Sequence, residues 1–194
     1  MKIGLVPMAA KPYHAGHDAL VRLASAENDK TIVFVSTSDR DTILGSDMIK
    51  IWEVYIKPTL PRNVEVQYIS VPVTGVYKTL EQAEQENSKD EFSIYSDSID
   101  IAKYKEQSLK KSAKEIYNDK RIRLRGIDRS STVDVSGTEM RNLLASKNPK
   151  DKKKFMSLLP SKVQANGEKI YNILKKQTNE NLLRRFVNEL LVSR

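Results

Sequence analysis

The stretch "KIGLVPMAAKPYHAGHDALVRLASAE", residues 2–27, decides the fold of this chain. Its first seven residues are an apolar run that predicts a buried strand, and residues 18–27 then change to helical spacing. The loop at 8–17 therefore leaves a strand and enters a helix, which is how an α/β sheet begins. The same loop contains both histidines of the chain, His14 and His17.

Strands and helices continue to alternate along the chain. Further strands are predicted at 31–37, 64–71, 92–96 and 121–127, and helices near 46–57, 76–88 and 103–117. Strands that alternate with helices imply right-handed crossovers and a parallel sheet. We therefore predict a Rossmann-like five-stranded parallel sheet flanked by helices, in a domain that spans residues 1–145.

The last part of the chain has helical patterns alone. Helices are predicted at 136–146, 152–160, 168–177 and 179–192. We expect residues 146–194 to form a helical subdomain packed on the sheet domain. The last helix has an apolar stripe, which favours packing on the sheet domain and leaves a homo-oligomer interface as the alternative. The stripe consists of Leu182, Leu183, Phe186, Val187, Leu190 and Leu191.

The composition indicates an ordinary globular chain with an excess of positive charge. Of its 194 residues, 39% are hydrophobic and 30% are charged, and the formal net charge is +8 at pH 7. The absence of cysteine excludes a disulfide, a thiolate metal site and a cysteine nucleophile. Positive charge favours anionic partners, which could be phosphorylated metabolites or nucleic acid. The lysine runs at 103–114 and 148–155 are typical of solvated helix faces, so charge alone does not favour nucleic acid.

Hydropathy gives no indication of a membrane protein. No apolar run approaches the roughly 20 residues that a membrane span needs. The opening "MKIGLVPMAA", residues 1–10, lacks the length and the basic start of a signal peptide. We therefore expect a cytoplasmic protein without a membrane partner.

The loop at 8–17 is suited to binding a phosphate group. In a doubly wound sheet, ligands bind at the carboxyl ends of the strands where the strand order reverses, and the first strand usually adjoins that point. An anion there meets exposed backbone N–H groups and the positive end of a helix dipole. Gly16 leaves room for a phosphate near the backbone, and His17, in the first helical turn, can direct a ring nitrogen to it. Pro12 stiffens the approach and Lys11 adds a positive charge.

Other interpretations of the two histidines have less support. A zinc site could use His14 and His17, but the chain offers neither a cysteine nor a third histidine. A serine hydrolase would need a G-x-S-x-G turn, which is absent. The P-loop and G-x-G-x-x-G fingerprints are also absent. The remaining alternative is a structural pair of histidines, hydrogen-bonded within the loop.

A second candidate anion site lies in "DVSGTEMRNLL", residues 134–144. Ser136 followed by Glu139 fits a capping box at the start of a helix. A capping box does not require Thr138 or Arg141, which add a hydroxyl and a guanidinium near the same helix N-terminus. Two helix N-termini with phosphate-binding groups, one after the first strand and one after the last, suit a polyphosphate held between them.

Together these stretches resemble the paired signatures of the HxGH nucleotidylyltransferases, the cytidylyltransferase-like superfamily. "HAGH" at 14–17 follows the first strand, and "SGTEMR" at 136–141 follows the last, about 120 residues further on. "KPYHAGH", "VSGTEMR" and "FMSLLPSKV" at 155–163 are most similar to the archaeal-type nicotinamide mononucleotide adenylyltransferases. The resemblance covers residue 2 to about residue 165 and implies the Rossmann-like fold of that superfamily.

The resemblance implies a nucleotidyltransferase in which an acceptor phosphate attacks the α-phosphorus of ATP or CTP in line and releases pyrophosphate. It favours an ATP-binding adenylyltransferase of NAD biosynthesis that acts on nicotinamide mononucleotide or a similar phosphorylated acceptor. Mg²⁺ would bridge the triphosphate and be held mostly by it, without metal ligands from the chain.

The resemblance also implies roles for individual residues. The catalytic residues would be Lys11, His14, His17 and Arg141, with His17 on the α-phosphate. The nucleotide-binding residues would be Pro7, Met8, Ala9, Gly16, Asp97, Arg129, Ser136, Gly137 and Thr138. The candidates for binding the acceptor are Arg40, Trp52 and Tyr77.

The sequence departs from the family pattern at two positions of the first motif. Met8 stands where the family usually has glycine, and Lys11 stands where an Asp, Gln or Asn commonly precedes the proline. The "R-T-x-G-I-S-T-T" pattern of cytidylyltransferases is matched only loosely, by Arg129 and the residues after it. Two alternatives stay open: a cytidylyltransferase that activates an alcohol or sugar phosphate, and a catalytically idle nucleotide- or RNA-binding relative that uses the lysine-rich segment 147–154.

Overall fold

The structure, a computed structural model, describes residues 1–128 and 135–176. The strands in these ranges are β1 (Lys2–Met8), β2 (Lys30–Ser36), β3 (Val64–Ile69), β4 (Glu91–Asp97) and β5 (Ile122–Ile127). They form one sheet in the order β3-β2-β1-β4-β5, with every neighbouring pair parallel. This is a doubly wound order, which reverses between β1 and β4. The predicted Rossmann-like parallel sheet is confirmed.

Helices connect the strands and follow the last one. They are α1 (Ala15–Glu27), α2 (Gly45–Ile51), α3 (Pro72–Gln85), α4 (Ser98–Ile101), α5 (Glu106–Ser112), α6 (Lys114–Asn118), α7 (Gly137–Ala145), α8 (Pro149–Ser157) and α9 (167–176). A π turn (Trp52–Ile56) and a 3₁₀ turn (Lys57–Thr59) extend α2, and a second 3₁₀ turn (Gln164–Asn166) precedes α9. The helix predicted at 179–192 lies outside the described residues. None of the helices in the described ranges is long and apolar enough to cross a bilayer.

The prediction of one basic helix at 103–117 is wrong, because two shorter helices, α5 and α6, take its place. The break between α5 and α6 falls at Ala113, whose φ of −153° and ψ of 73° are not helical. Ala113 is fully buried in the same apolar cluster as Tyr104 and Leu109. Packing of this small residue against the core therefore outweighs its high helix propensity.

Burial along the strands follows their place in the sheet. Nearly all of β1 and β2 is buried, because their continuous apolar runs are covered on both faces. The edge strands β3 and β5 are more exposed. Helix α3 approaches the sheet closely at Gly75, where a Cβ atom would lie 2.4 Å from a ring carbon of Phe34. The apolar strands thus provide the core on which the connecting helices pack.

Backbone contacts divide the described residues into two compact units. The sheet unit comprises Met1–Ala10, Gly16–Ser36 and residues 60–128, and it includes all five strands named above. The helical unit comprises Lys11–Ala15, Thr37–Thr59 and residues 135–176, and it includes α2 and α7 to α9. The division predicted from the sequence, after residue 145, is a different partition and stays a prediction.

Candidate phosphate-binding site

The helical unit brings residues of both motifs into contact through Arg141, near the start of α7. The Arg141 Nη1 atom donates to the main-chain carbonyl of Lys11 at 2.9 Å, and Nη2 donates to Thr138 Oγ1 at 3.0 Å. The Nε atom forms an ion pair with Asp41 at 2.6 Å. The Arg141 side chain is only 13% exposed. Acceptors from three separate segments of the chain therefore hold this guanidinium in place.

The N-terminus of α7 is capped as the sequence predicts, but only by one half of the capping box. The Oγ atom of Ser136 accepts a hydrogen bond from the Glu139 amide at 3.0 Å. The Glu139 carboxylate pairs with Lys154 Nζ at 2.8 Å instead of returning to the Ser136 amide. The amides of Gly137 and Thr138 precede the first intrahelical bond, so they point outward from the helix end. This helix end therefore presents N–H donors beside a guanidinium.

Gly137 provides the space that the Arg141 side chain occupies. A Cβ atom at position 137 would lie 3.1 Å from Arg141 Nη1 and 3.6 Å from the Lys11 carbonyl oxygen. The first of these distances is too short for ordinary van der Waals contact. A side chain at position 137 would therefore require the guanidinium to shift by a few tenths of an ångström.

Two residues of the first motif are buried in the helical unit. Lys11 is 3% exposed and His14 is 5% exposed. Burial lowers the pKa of Lys11 below its usual value, while Asp39 acts to raise it and Arg40 to lower it. Arg40, one of the candidates for binding the acceptor, is exposed and lies near enough to Lys11 to affect its charge. The described part of the helical unit thus gathers the cations Lys11, Arg40 and Arg141.

The sheet unit holds the other residues predicted to bind nucleotide. Pro7 and Met8 end β1, and Ala9 follows them; Gly16 and His17 lie in the first turn of α1. Asp97 ends β4, the neighbour of β1 at the point where the strand order reverses. Its carboxylate accepts from the Ile99 and Asp100 amides at 3.0 and 2.7 Å, and so caps α4. Arg129 lies outside the described residues.

The structure places the two aromatic candidates for binding the acceptor in apolar cores. Trp52 is fully buried and packs edge-on against Tyr13, with ring centroids 4.6 Å apart. Trp52 therefore belongs to an apolar core in this structure, and its assignment as a residue that binds the acceptor stays a prediction. Tyr77 is half-buried against the core of the sheet unit, and its ring centroid lies 5.9 Å from that of Tyr104.

The sequence analysis missed Asp39 and Asp41. Both stand in "STSDRDTIL", directly after β2, and their carboxylates act on Lys11 and Arg141 respectively. The available signal was two acidic residues around Arg40 at the carboxyl end of a central strand, which is where doubly wound sheets carry functional groups.

Comparison with known proteins supports the fold. No protein-family model matches the chain, and no curated protein matches it. A Vibrio parahaemolyticus protein, provisionally assigned as a nicotinate-nucleotide adenylyltransferase, superposes with a TM-score of 0.55 at 18% sequence identity, over 89% of this chain and 97% of that chain. Thermotoga maritima TmcAL bound with alpha-thio ATP gives a TM-score of 0.49 at 15% identity, over 93% of this chain and 56% of that chain. At this identity the Vibrio protein shows the fold alone, a Rossmann-like α/β sheet with its helices.

Proposed function

We propose that this chain is a nucleotidylyltransferase that transfers AMP from ATP to a phosphorylated acceptor such as nicotinamide mononucleotide and releases pyrophosphate. One observation carries the proposal: the hydrogen bond from Arg141 to the Lys11 carbonyl joins the second motif to the start of the first within one compact unit. These residues are 130 positions apart in sequence. A clamp for a polyphosphate needs such a contact, since groups from both motifs must act on one ligand.

The chemistry of this reaction is mainly positioning and charge neutralisation. The acceptor phosphate is already an anion, so the attack on the α-phosphorus needs no strong base. Negative charge develops on the phosphoryl oxygens, where oriented donors stabilise it. Arg141 and the amides of Gly137 and Thr138 would bind the β- and γ-phosphates, and Ser136 would orient that helix end. His17 would contact the α-phosphate.

We infer that Mg²⁺ enters with the triphosphate. The Arg141 guanidinium and the amides of Gly137 and Thr138 are N–H donors, which bind phosphate oxygens rather than a metal ion. In the part of the chain that the structure describes, no group of three or more His, Cys, Asp or Glu side chains could hold a metal. Bound Mg²⁺ would neutralise part of the triphosphate charge, while the chain's own residues would orient the phosphates.

The choice of nucleotide and acceptor rests on the resemblance of the motifs. "KPYHAGH" and "VSGTEMR" resemble adenylyltransferase motifs more than the cytidylyltransferase pattern, which favours ATP over CTP. The provisional assignment of the similarly folded Vibrio protein concerns a nicotinate nucleotide. Both pyridine mononucleotides, with nicotinamide and with nicotinate, are therefore the first acceptors to test.

The test is an assay of pyrophosphate release. The purified protein is incubated with Mg²⁺ and each nucleoside triphosphate against a panel of phosphorylated acceptors that includes both pyridine mononucleotides. We expect release with ATP and a pyridine mononucleotide. Release with CTP and an alcohol or sugar phosphate would instead identify a cytidylyltransferase. Binding of nucleotide without turnover for any pair would contradict the proposal and favour an idle binder.

A His17→Ala variant tests the assignment of the site. We expect it to stay folded and to lose at least about 100-fold in turnover, because a donor to the developing charge is removed. Ala26→Gln, an exposed change near the other end of the same helix, is the control and should retain full activity. A folded His17→Ala protein as fast as the parent would contradict the assignment, whichever acceptor is used.

A further inference from the structure

We propose that Asp41 is a positioning residue, whose carboxylate orients the Arg141 guanidinium to receive the β- and γ-phosphates of the nucleotide. The inference rests on the proposed function and adds to it a residue outside both motifs. It follows from the shape of the segment that carries Asp41, from the donors of Arg141 that stay available, and from the exposure of the ion pair.

The segment from Thr37 to Leu44 is held in one shape by its own hydrogen bonds. The amide and carbonyl groups of Arg40 and Ile43 bond to each other in both directions, at 3.0 Å each. Asp39 Oδ1 accepts from the Gly45 amide at 2.8 Å, which ties the segment to the start of α2. Ile43 is fully buried and anchors it. The backbone position of Asp41 is therefore fixed by these contacts within the fold.

Asp41 stands at the turn of this segment with a backbone that non-glycine residues seldom adopt. Its φ is +53°, in the left-handed region that Asp tolerates better than most residues. This conformation directs the carboxylate to Arg141 Nε, at 2.6 Å. A strained turn that delivers one side chain to one buried partner is a pattern often found at functional sites.

The contacts of Arg141 leave suitable donors for a ligand. A guanidinium carries five N–H groups in one plane. The Lys11 carbonyl, Thr138 Oγ1 and Asp41 use one each on Nη1, Nη2 and Nε. One N–H therefore remains on each Nη atom, and such a pair suits the oxygens of a phosphate group. Asp41 pairs with Nε of Arg141. It therefore fixes the plane of the guanidinium without using the N–H groups of the two Nη atoms.

The exposure of the Asp41–Arg141 ion pair indicates that the contact orients the guanidinium rather than stabilises the folded protein. The Asp41 side chain is 62% exposed, whereas that of Arg141 is 13% exposed. An ion pair open to water on one side contributes little to the free energy of unfolding. The same contact still defines the plane of the guanidinium, since three acceptors around its edge leave it one orientation.

The experiment compares Asp41→Ala and Asp41→Asn by isothermal titration with Mg-ATP and by steady-state kinetics. Asp41→Ala removes the acceptor for Nε, and we expect Mg-ATP binding weaker on the order of tenfold, with AMP binding unchanged. Asp41→Asn removes the same charge but keeps an oxygen acceptor, and should stay within about threefold of the wild type. Glu53→Ala, which breaks an exposed pair with Lys57 in the same unit, is the matched control for charge.

A spectroscopic measurement follows the contact without any nucleotide. The Nε–H resonance of Arg141, assigned by its loss in Arg141→Lys, should move in Asp41→Ala and hold its position in Glu53→Ala. Tighter Mg-ATP binding in both Asp41 variants would show that the carboxylate competes with phosphate and would overturn the inference. Equal binding by the wild type and Asp41→Ala would overturn it too, while leaving the proposed function intact. If the wild type bound no nucleotide, the proposed function would fail, and this inference with it.

Discussion

Gly137 and Arg141 are one turn apart on α7, and the guanidinium lies 3.1 Å from the place that a Cβ atom at position 137 would occupy. This arrangement gives the glycine of "SGTEMR" a physical role, because the Arg141 contact with Lys11 runs past its bare Cα atom. The glycine four positions before the arginine in this motif thus permits the close approach of Arg141 to the N-terminus of its own helix.

We predict that Gly137→Ala weakens Mg-ATP binding about tenfold while the protein stays folded. The new Cβ atom, 3.1 Å from Nη1, displaces the guanidinium, and a small displacement in a phosphate site is costly. Stability should change by less than about 1 kcal/mol, since alanine is a better helix former than glycine. Titration calorimetry and a thermal melt measure the two quantities.

Gly167→Ala is the matched control, because position 167 lies in the same unit and the atoms nearest to its Cβ atom would belong to the side chains of Met156 and Leu159, at 3.3–3.4 Å. Its Mg-ATP affinity should equal that of the parent. Unchanged affinity in Gly137→Ala as well would show that the Arg141 position does not matter for the nucleotide.

At the scale of elements, α7 is held at both ends. Its N-terminus is capped by Ser136, and Lys175 on α9 donates to the last carbonyl groups. The Lys175 Nζ atom lies 2.6 Å from the Leu144 oxygen, 3.2 Å from that of Ala145 and 2.9 Å from that of Ser146. A cation at a helix C-terminus also complements the helix dipole. Helix α9 therefore anchors the element that carries the second motif.

Lys175→Met should lower the free energy of unfolding by about 1 kcal/mol, because charged hydrogen bonds to part-buried and exposed carbonyl groups are lost while the aliphatic stem is kept. Chemical denaturation with an unchanged m-value measures the loss. Lys169→Met, an exposed change on the same helix, should unfold like the parent. If both variants were equally stable, the cap would contribute nothing measurable.

A hydrogen-bonded network in the sheet unit makes its stability depend on pH. The Tyr95 hydroxyl donates to Glu27 at 2.6 Å, and Arg125 donates to the other oxygen of that carboxylate at 2.7 Å. The Tyr95 bond, with help from Arg125, lowers the pKa of Glu27 below its usual 4.5, against the opposing effect of burial. The folded protein therefore binds fewer protons here than the unfolded chain. This contribution is present above about pH 4.5 and is lost as the pH falls through the folded pKa.

Tyr95→Phe should destabilise the protein by about 1–2 kcal/mol at pH 7, since a part-buried hydrogen bond to a charged group is lost. The difference from the wild type should narrow as the pH falls from about 4.5 through the lowered pKa of Glu27 in the folded protein, because the protonated carboxyl no longer gains from the Tyr95 bond. Urea unfolding of both proteins at a series of pH values from about 7 down to below about 4.5 measures this difference in the free energy of unfolding. Tyr117→Phe, in the same unit, is the control, and its difference from the wild type in the free energy of unfolding should not narrow at low pH. If the difference between Tyr95→Phe and the wild type were constant with pH, the assignment to Glu27 would be contradicted.

How far the sequence predicts these elements depends on the range of the interactions that decide them. The central strands could be predicted because burial on both faces leaves a continuous apolar run, as in β2. The break at Ala113 could not, because it comes from packing against distant side chains. Asp41 could not be predicted either, since its role depends on a turn that meets Arg141, a residue 100 positions away. The two motifs themselves were visible because their residues are close together in sequence.

At the scale of the whole molecule, the net charge of +8 raises the question of nucleic acid as a partner. Part of the positive charge in the lysine-rich segment is balanced within the described residues. On α8, Lys154 pairs with Glu139 at 2.8 Å, and Lys152 pairs with Glu168. A lysine that is already paired offers less to a phosphate backbone. These pairs account for part of the charge of α8, and the dependence of binding on salt distinguishes a small anionic ligand from RNA.

We predict that the affinity for Mg-ATP falls less than about tenfold between roughly 50 and 200 mM salt, because one bound nucleotide releases few counterions. Binding of a single-stranded RNA of about 20 nucleotides should fall by about 1,000-fold or more over the same range, as expected for contacts to many phosphates. The double variant Lys150→Ala, Lys153→Ala removes two exposed charges of α8 and should weaken RNA binding alone. Fluorescence anisotropy with labelled RNA and calorimetry with Mg-ATP measure how each affinity depends on the salt concentration. The RNA-binding alternative would be favoured if RNA bound more tightly than Mg-ATP at about 200 mM salt and if this binding depended on the two lysines. Contacts to many phosphates would then contribute to binding even though salt screens them.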